Sequence, residues 1–499
     1  MKKFISVLLV ITIILSTGVV YADVKAGERH FMPGDLLFDT MPDSDIALMG
    51  EDSFEDVIKA GWDNMEECID VSEFQIKISD FQKAYGDVLF SNPEYFYVLS
   101  SYYYYDDDEY VTEVEPIYGI TDKEQIENTL EEIEAVSEEI LFLISENMSD
   151  FDKVMTVHDY MVEHFSYDWD FYYDSANTDS ETYYHQFTLE IMTKKLGVCQ
   201  GYTLAFTYMM NKLGIETRYV SSDVMNHAWN LVKVDGEWYH IDVTWDDSDD
   251  CGEVRHEYEL VSTGCIQTLP NPHYGFDLGE IEADSTRFDD APWHDSLAEV
   301  AYCHGKAYWI DGDRLVDEDG NVIYDNLAGV DEKWNFEGNW IVEGMVFSGL
   351  AEYNGKLFFN TDKAIYTYNP HTGETLKMMD KISVGGLYVD KNVLVYANAI
   401  IKEDAEGAYI YIEEGGRIVL DHARFAEPYI KDDKIIARVY KECDDEIFVL
   451  AKSAKGIEAE VIKNKGYSTV SFSSDAEADI FYWTSNLKPL RDVEEIIVH

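Results

Sequence analysis

The chain has 499 residues, 46% of them hydrophobic and 14% aromatic, which excludes wholesale disorder and requires more than one core. Its 99 acidic against 37 basic residues give a formal net charge of -62. Such a surface repels phosphate backbones and anionic lipids, so neither nucleic-acid binding nor membrane-surface binding is expected.

Met1-Lys2-Lys3 precedes an apolar run from Phe4 to about Val20, closed by Val20-Tyr21-Ala22. This reads as a secretory signal over residues 1–22, cleaved after Ala22, and predicts a secreted or surface-associated protein. No later stretch is long and apolar enough to span a bilayer. Residues 23–149 read as an N-terminal α+β extension. Ser53 to Ala60 and Phe74 to Tyr85 have helical apolar spacing, and Asn92-Pro93-Glu94 breaks the pattern. Tyr95 to Leu99 and Tyr102 to Tyr105 read as strands, with Asp106-Asp107-Asp108 as the turn into Tyr110 to Val114. A long helix is predicted over Lys123 to Asn147.

Residues 150–292 carry the chemistry. In Leu196-Gly197-Val198-Cys199-Gln200-Gly201-Tyr202, the apolar residues after Cys199 follow helical spacing and Gly214 closes the helix. Cys199 therefore sits at the helix N-terminus, where backbone N–H groups and the dipole favour negative charge on sulfur and can serve an oxyanion site. Gly197 and Gly201 permit close backbone approach. Asn226 to Val234 and Trp238 to Trp245 read as strands joined by the two-residue turn Asp235-Gly236. If Val234 faces Glu237, Trp229 pairs with Asp242 and His227 with Thr244. His227 and Asp242 then share a face as diagonal neighbours, a base with the carboxylate that orients it. A one-residue bulge would break that parity. Gln200, Tyr202 and Trp229 flank this set as oxyanion or substrate residues, with a framework role the competing reading for each. Asp246 and Asp247 read as solvated turn residues, and neither a metal nor any cofactor is expected. Six scattered cysteines lack zinc-ligand spacing, and only Cys251 with Cys265 suggests a bridge.

From Trp293 the chain turns strand-rich. His304 to Trp309 and Asn354 to Phe359 repeat each other, each followed by a strand and a turn, and Tyr388 to Tyr396 starts a third unit. Residues 293–425 thus read as propeller-like repeats, too few to close a ring. Residues 426–499 alternate as strands of a small β-sandwich. Ile480 to Trp483 followed by Leu487-Lys488-Pro489-Leu490 resembles the end of β-modules appended to secreted bacterial enzymes.

Gly197-Val198-Cys199-Gln200-Gly201-Tyr202, Asn226-His227-Ala228-Trp229-Asn230 and Trp238 to Asp247 together resemble the transglutaminase-like superfamily, its secreted bacterial branch most of all. Val157 to Val162 is similar to that family's leading helix, and His256 to Ser262 to its closing strand. The resemblance implies an α+β papain/transglutaminase-like core and a Cys199–His227–Asp242 triad acting on a protein or peptide substrate. Protease, deamidase and cross-linker all remain open. So does a catalytically silent binding or adhesion protein, in which the β-rich half contacts a cell surface or polymer.

Overall fold

The computed structural model describes residues 29–31, 53–174, 185–248, 252–327, 348–361, 363–380, 384–404, 407–420, 423–453, 456–473, 477–484 and 494–497. The segment read as a secretory signal lies outside them, as do Cys251 and Leu487 to Leu490. Among the described residues no helix is long and apolar enough to cross a membrane. The chain forms two compact units, each discontinuous in sequence. One comprises residues 1–136, 165–245 and 258–290, and the other residues 137–164, 246–257 and 291–499.

In the first unit, Ser53 caps the helix Phe54–Asn64 through a capping box with Asp56. The helix Ile78–Ser91 starts four residues later than its apolar spacing suggests, because Ser72–Phe74 forms a separate 3₁₀ turn. The tyrosine-rich run is one strand, Val98–Tyr105, paired with Val111–Tyr118. The long helix spans Lys123–Leu143, and its residues from Ser137 on belong to the second unit.

The part of this unit that holds the candidate chemistry is a helix on a three-stranded antiparallel sheet. The helix Cys199–Leu213 buries Tyr202, Ala205, Phe206, Met209 and Met210, and Gly214 ends it in the left-handed region at φ 71°. The strands are Thr217–Ser222, His227–Val234 and Glu237–Ile241. Asp235 and Gly236 both have positive φ, 51° and 87°, and set Val234 opposite Glu237. That register holds only to the Asn230–Ile241 pair. The third strand then stops, and Val243–Asp246 turns into a short helix, so His227 does not face Thr244. Asp242 starts this turn: its Oδ1 accepts from the Trp245 N–H at 3.3 Å, and its own N–H goes to the Tyr258 carbonyl. The family-like closing strand is reduced to one bridge, His240 with Val261.

In the second unit, Asp150–His164 is helical. Three antiparallel meanders follow: two four-stranded sheets from Ala301–Cys303 to Val322–Tyr324 and from Leu350–Tyr353 to Glu374–Asp380, then a three-stranded one from Val384–Asp390 to Gly407–Val419. The repeated turns superpose in conformation: His304 and Asn354 both have φ 52°, followed by Gly305 at 76° and Gly355 at 75°. The last two four-stranded sheets share one apolar core that includes Phe425, Ile435, Val449, Phe472 and Tyr482. The architecture is thus mixed helix and strand in its first half and rich in β-sheet in its second.

Candidate active site

The helix beginning at Cys199 and the strand beginning at His227 present their first residues at the same end of the layer. Asn230, 1% exposed, locks them together: its Nδ2 donates to the Thr203 carbonyl at 3.2 Å and the Thr207 hydroxyl at 3.0 Å. Cys199 is partly exposed and follows the extended Val198, with no side chain capping the helix. Backbone N–H groups therefore face the thiol end of the helix.

The sulfur, imidazole and carboxylate picked out in the sequence meet. His227 Nε2 lies 2.5 Å from Asp242 Oδ2, and the Cys199 sulfur is near enough to the same imidazole to favour its charged form. With Nε2 committed to the carboxylate, Nδ1 is the nitrogen left to take the thiol proton. Burial opposes charge on His227, but Asp242 and then the Cys199 sulfur outweigh it and raise the ring to about 10. Burial likewise opposes charge on Asp242, yet His227 and His273 hold its carboxyl well below the usual range. Each partner thus stabilises the charged form of the other.

Trp229 stacks on His227 at 5.7 Å with an 18° tilt and is 1% exposed. Its indole N–H donates to His240 Nδ1 at 3.0 Å. His240 must accept there, so it is neutral, in line with burial lowering it to about 3. Trp229 is thus a wall behind His227, with little surface left for a ligand. Gln200 spends its side-chain amide on the Phe187 carbonyl at 3.0 Å. Tyr202 is fully buried edge-on to Phe165. Both side chains serve the framework. Gly197 and Gly201 make room for the turn at 186–191: a Cβ at Gly201 would meet the Gln186 carbonyl oxygen at 2.9 Å. Gly201→Ala is expected to destabilise the fold by about 1–3 kcal/mol through overpacking, measured by denaturant titration.

Sequence reasoning missed two features. One is His273, whose Nε2 lies 2.7 Å from Asp242 Oδ2. It follows Asn271-Pro272 in an irregular loop with no periodicity, so nothing local marks it. The other is a set of tyrosines around the thiol. Burial first, then the Cys199 charge, raise the phenols of Tyr167 and Tyr219, and Tyr172 feels the same sulfur. Trp169 and Tyr173, exposed at 51% and 77%, stack beside Tyr172 as an open aromatic rim.

His227, Asp242 and His273 bring three potential metal-ligand atoms within 4.8 Å of one another. At 2.5 and 2.7 Å the carboxylate–imidazole contacts are hydrogen bonds. Tetrahedral ligands at about 2.0–2.1 Å from zinc would stand roughly 3.3 Å apart. Asp246, read from the sequence as a solvated turn residue, is fully buried and takes His158 Nε2 at 3.1 Å. Among the described residues Cys68, Cys199, Cys265 and Cys443 are free thiols, and Cys251, the suggested partner of Cys265, lies outside them.

A search of curated proteins found no significant match. Among solved structures, a TGase crystal structure aligns with 18% identity over 30% of this chain and 44% of that one, with a TM-score of 0.22. Two extracellular domains of B. thetaiotaomicron systems, one a hybrid two-component system and one a one-component system, align at 9% and 10% identity with TM-scores of 0.17 and 0.16. They cover 57% and 54% of this chain and 44% and 42% of their own. The chain spans less than half of each of these solved chains, and scores this low do not bear on its fold. A family model described as the transglutaminase-like superfamily matches residues 138–243, the segment that supplies Cys199, His227 and Asp242. Residues 138–243 are thus similar to the transglutaminase-like superfamily.

Proposed function

We propose that this protein is a cysteine acyl-transfer enzyme that works outside the cell on peptide or amide bonds. Cys199 is its nucleophile, His227 its acid and base, and Asp242 the carboxylate that orients His227. The observation that carries the reading is the 2.5 Å contact of His227 Nε2 with Asp242 Oδ2, with the Cys199 sulfur acting on the same ring.

The chemistry follows from that line of atoms. The thiol proton passes to His227, leaving a thiolate beside an imidazolium. Sulfur attacks the amide carbonyl, and the developing oxyanion is met by N–H groups at the start of the Cys199 helix. The imidazolium returns its proton to the leaving amine as the C–N bond breaks, and an acyl-thioester remains on Cys199. His227, now neutral, takes a proton from water or from a second amine, which attacks the thioester and restores the thiol. Water gives hydrolysis or deamidation, and an amine gives cross-linking. The raised value of His227 keeps the ring protonated across neutral pH, as the leaving-group step requires.

The test is incubation of wild type and Cys199→Ala with a peptide library and a labelled amine. Turnover by wild type alone is expected, either as hydrolysis or as amine incorporation. Equal inactivity of both proteins, with peptide retained, would instead mark a binding protein on the same scaffold.

A further inference from the structure

We propose that His273 is a positioning residue for this reaction, acting on the base through Asp242, so that the working set has four members: Cys199, His227, Asp242 and His273. The inference rests on the acyl-transfer reading above.

His227 and His273 approach the same oxygen. Asp242 Oδ2 lies 2.5 Å from His227 Nε2 and 2.7 Å from His273 Nε2, while Oδ1 accepts from the Trp245 N–H. An ionised carboxylate only accepts, so both imidazoles must donate to it. His273 is fully buried. Its other nitrogen, Nδ1, has no hydrogen-bond partner among the described residues. The ring is enclosed by Trp245 at 4.3 Å, Trp229 at 4.7 Å and Tyr258 at 5.3 Å, with His227 edge-on at 5.5 Å. The titratable groups facing it are Asp242, His227, His240 and Tyr258.

A buried polar atom with nothing to bond costs free energy, so a histidine in this cage needs compensation elsewhere. A leucine or phenylalanine would fill the cage without that cost. What histidine adds is the single N–H aimed at Asp242. Donation to Asp242 fixes a proton on Nε2 of His273. It holds the Asp242 carboxylate in one rotamer and keeps it ionised, and so it steadies the ion pair that keeps His227 protonated. Without it, burial would favour a protonated, mobile Asp242, and His227 would lose its orienter.

The experiment is site-resolved alkylation of Cys199 by iodoacetamide against pH, read by mass spectrometry so that the other thiols do not interfere. It is run on wild type, His273→Ala, His273→Gln and His273→Asn, with turnover and thermal melting measured alongside. Gln places its amide N–H near the position of Nε2, whereas Asn places it near Nδ1. The expected result for His273→Ala is a fall of about tenfold in alkylation near pH 6.5, as for a shift of one unit in the thiolate profile, with kcat falling and KM nearly unchanged. Gln recovers most of the loss and Asn does not. Asp242→Asn combined with His273→Ala should be no worse than Asp242→Asn alone. An unshifted profile in His273→Ala would overturn the proposal, as would equal losses in all three variants that track melting temperature. The acyl-transfer reading itself fails by a different sign: wild-type Cys199 alkylates only at alkaline pH, and His227→Ala changes nothing.

Discussion

Asp242→Asn is expected to lower turnover by roughly 10³–10⁴-fold while leaving the fold intact, the size of loss seen when the orienting carboxylate of a triad becomes an amide. Two effects act together. The amide can donate to His227 Nε2 or accept from it, so the ring loses its fixed tautomer. It also carries no charge, so the main influence that raises His227 to about 10 disappears, while the burial that opposes an imidazolium remains. The sign of the pH effect follows. In wild type the imidazolium persists as pH rises until about 10, and the alkaline limb of the rate profile falls there. In Asp242→Asn that limb moves to lower pH by more than a unit. A pH–rate profile measured on any turned-over peptide, together with Cys199 alkylation, checks both. An unchanged alkaline limb would mean that Asp242 does not set the protonation of the base.

Asp159→Ala is expected to cost the second unit about 3–5 kcal/mol, the penalty for breaking a buried charged pair and stranding its partner. The Asp159 carboxylate is 4% exposed and has three donors. Oδ1 takes His158 Nδ1 at 2.8 Å and His256 Nε2 at 3.0 Å, and Oδ2 takes the Val300 N–H at 2.6 Å. His158 also reaches Asp246 with its second nitrogen. Removing Asp159 takes an acceptor from both buried histidines, His158 and His256, and leaves the Val300 N–H without its acceptor. Burial opposes the charge on Asp159, but His256 and His158 more than offset it and hold the carboxyl at about 2. A carboxylate with a depressed value stabilises the fold above its unfolded value of about 3.9, and that contribution is lost as pH falls through about 2. Wild type should therefore lose stability between about pH 4 and pH 2 in a step that Asp159→Asn lacks. Denaturant titration at several pH values, followed by a probe in the second unit, measures it.

Much of the site was legible in the sequence because its signals are local. Cys199 stands where a helix begins, since an apolar stripe at helical spacing follows it and Gly214 closes it. Asp235-Gly236 fixes a turn type, and the turn fixes the register of the two strands beside it. The repeated His304-Gly305 and Asn354-Gly355 turns disclose the meanders in the same way. The strand parity, however, brought Asp242 to His227 by a route the chain does not follow. The ladder ends at Ile241, and Asp242 reaches the ring from the start of a helical turn. The expectation and the structure coincide at that carboxylate because Asp242 is the first residue past the last pair, still carried by the strand's direction.

What the amino-acid order determined by itself is the set of chemical groups and the short elements that bear them. A cap, a stripe or a turn residue acts within a few positions and leaves its trace there. What only the tertiary structure decided is which side chains from distant stretches share one enclosure. His273, 31 residues beyond Asp242, is joined to it by no period or motif. Asp246 looked like a solvated turn residue, but lies buried against a histidine 88 positions earlier. Burial and hydrogen-bond partnership belong to the packed chain, and a residue's neighbours in space cannot be read from its neighbours in sequence.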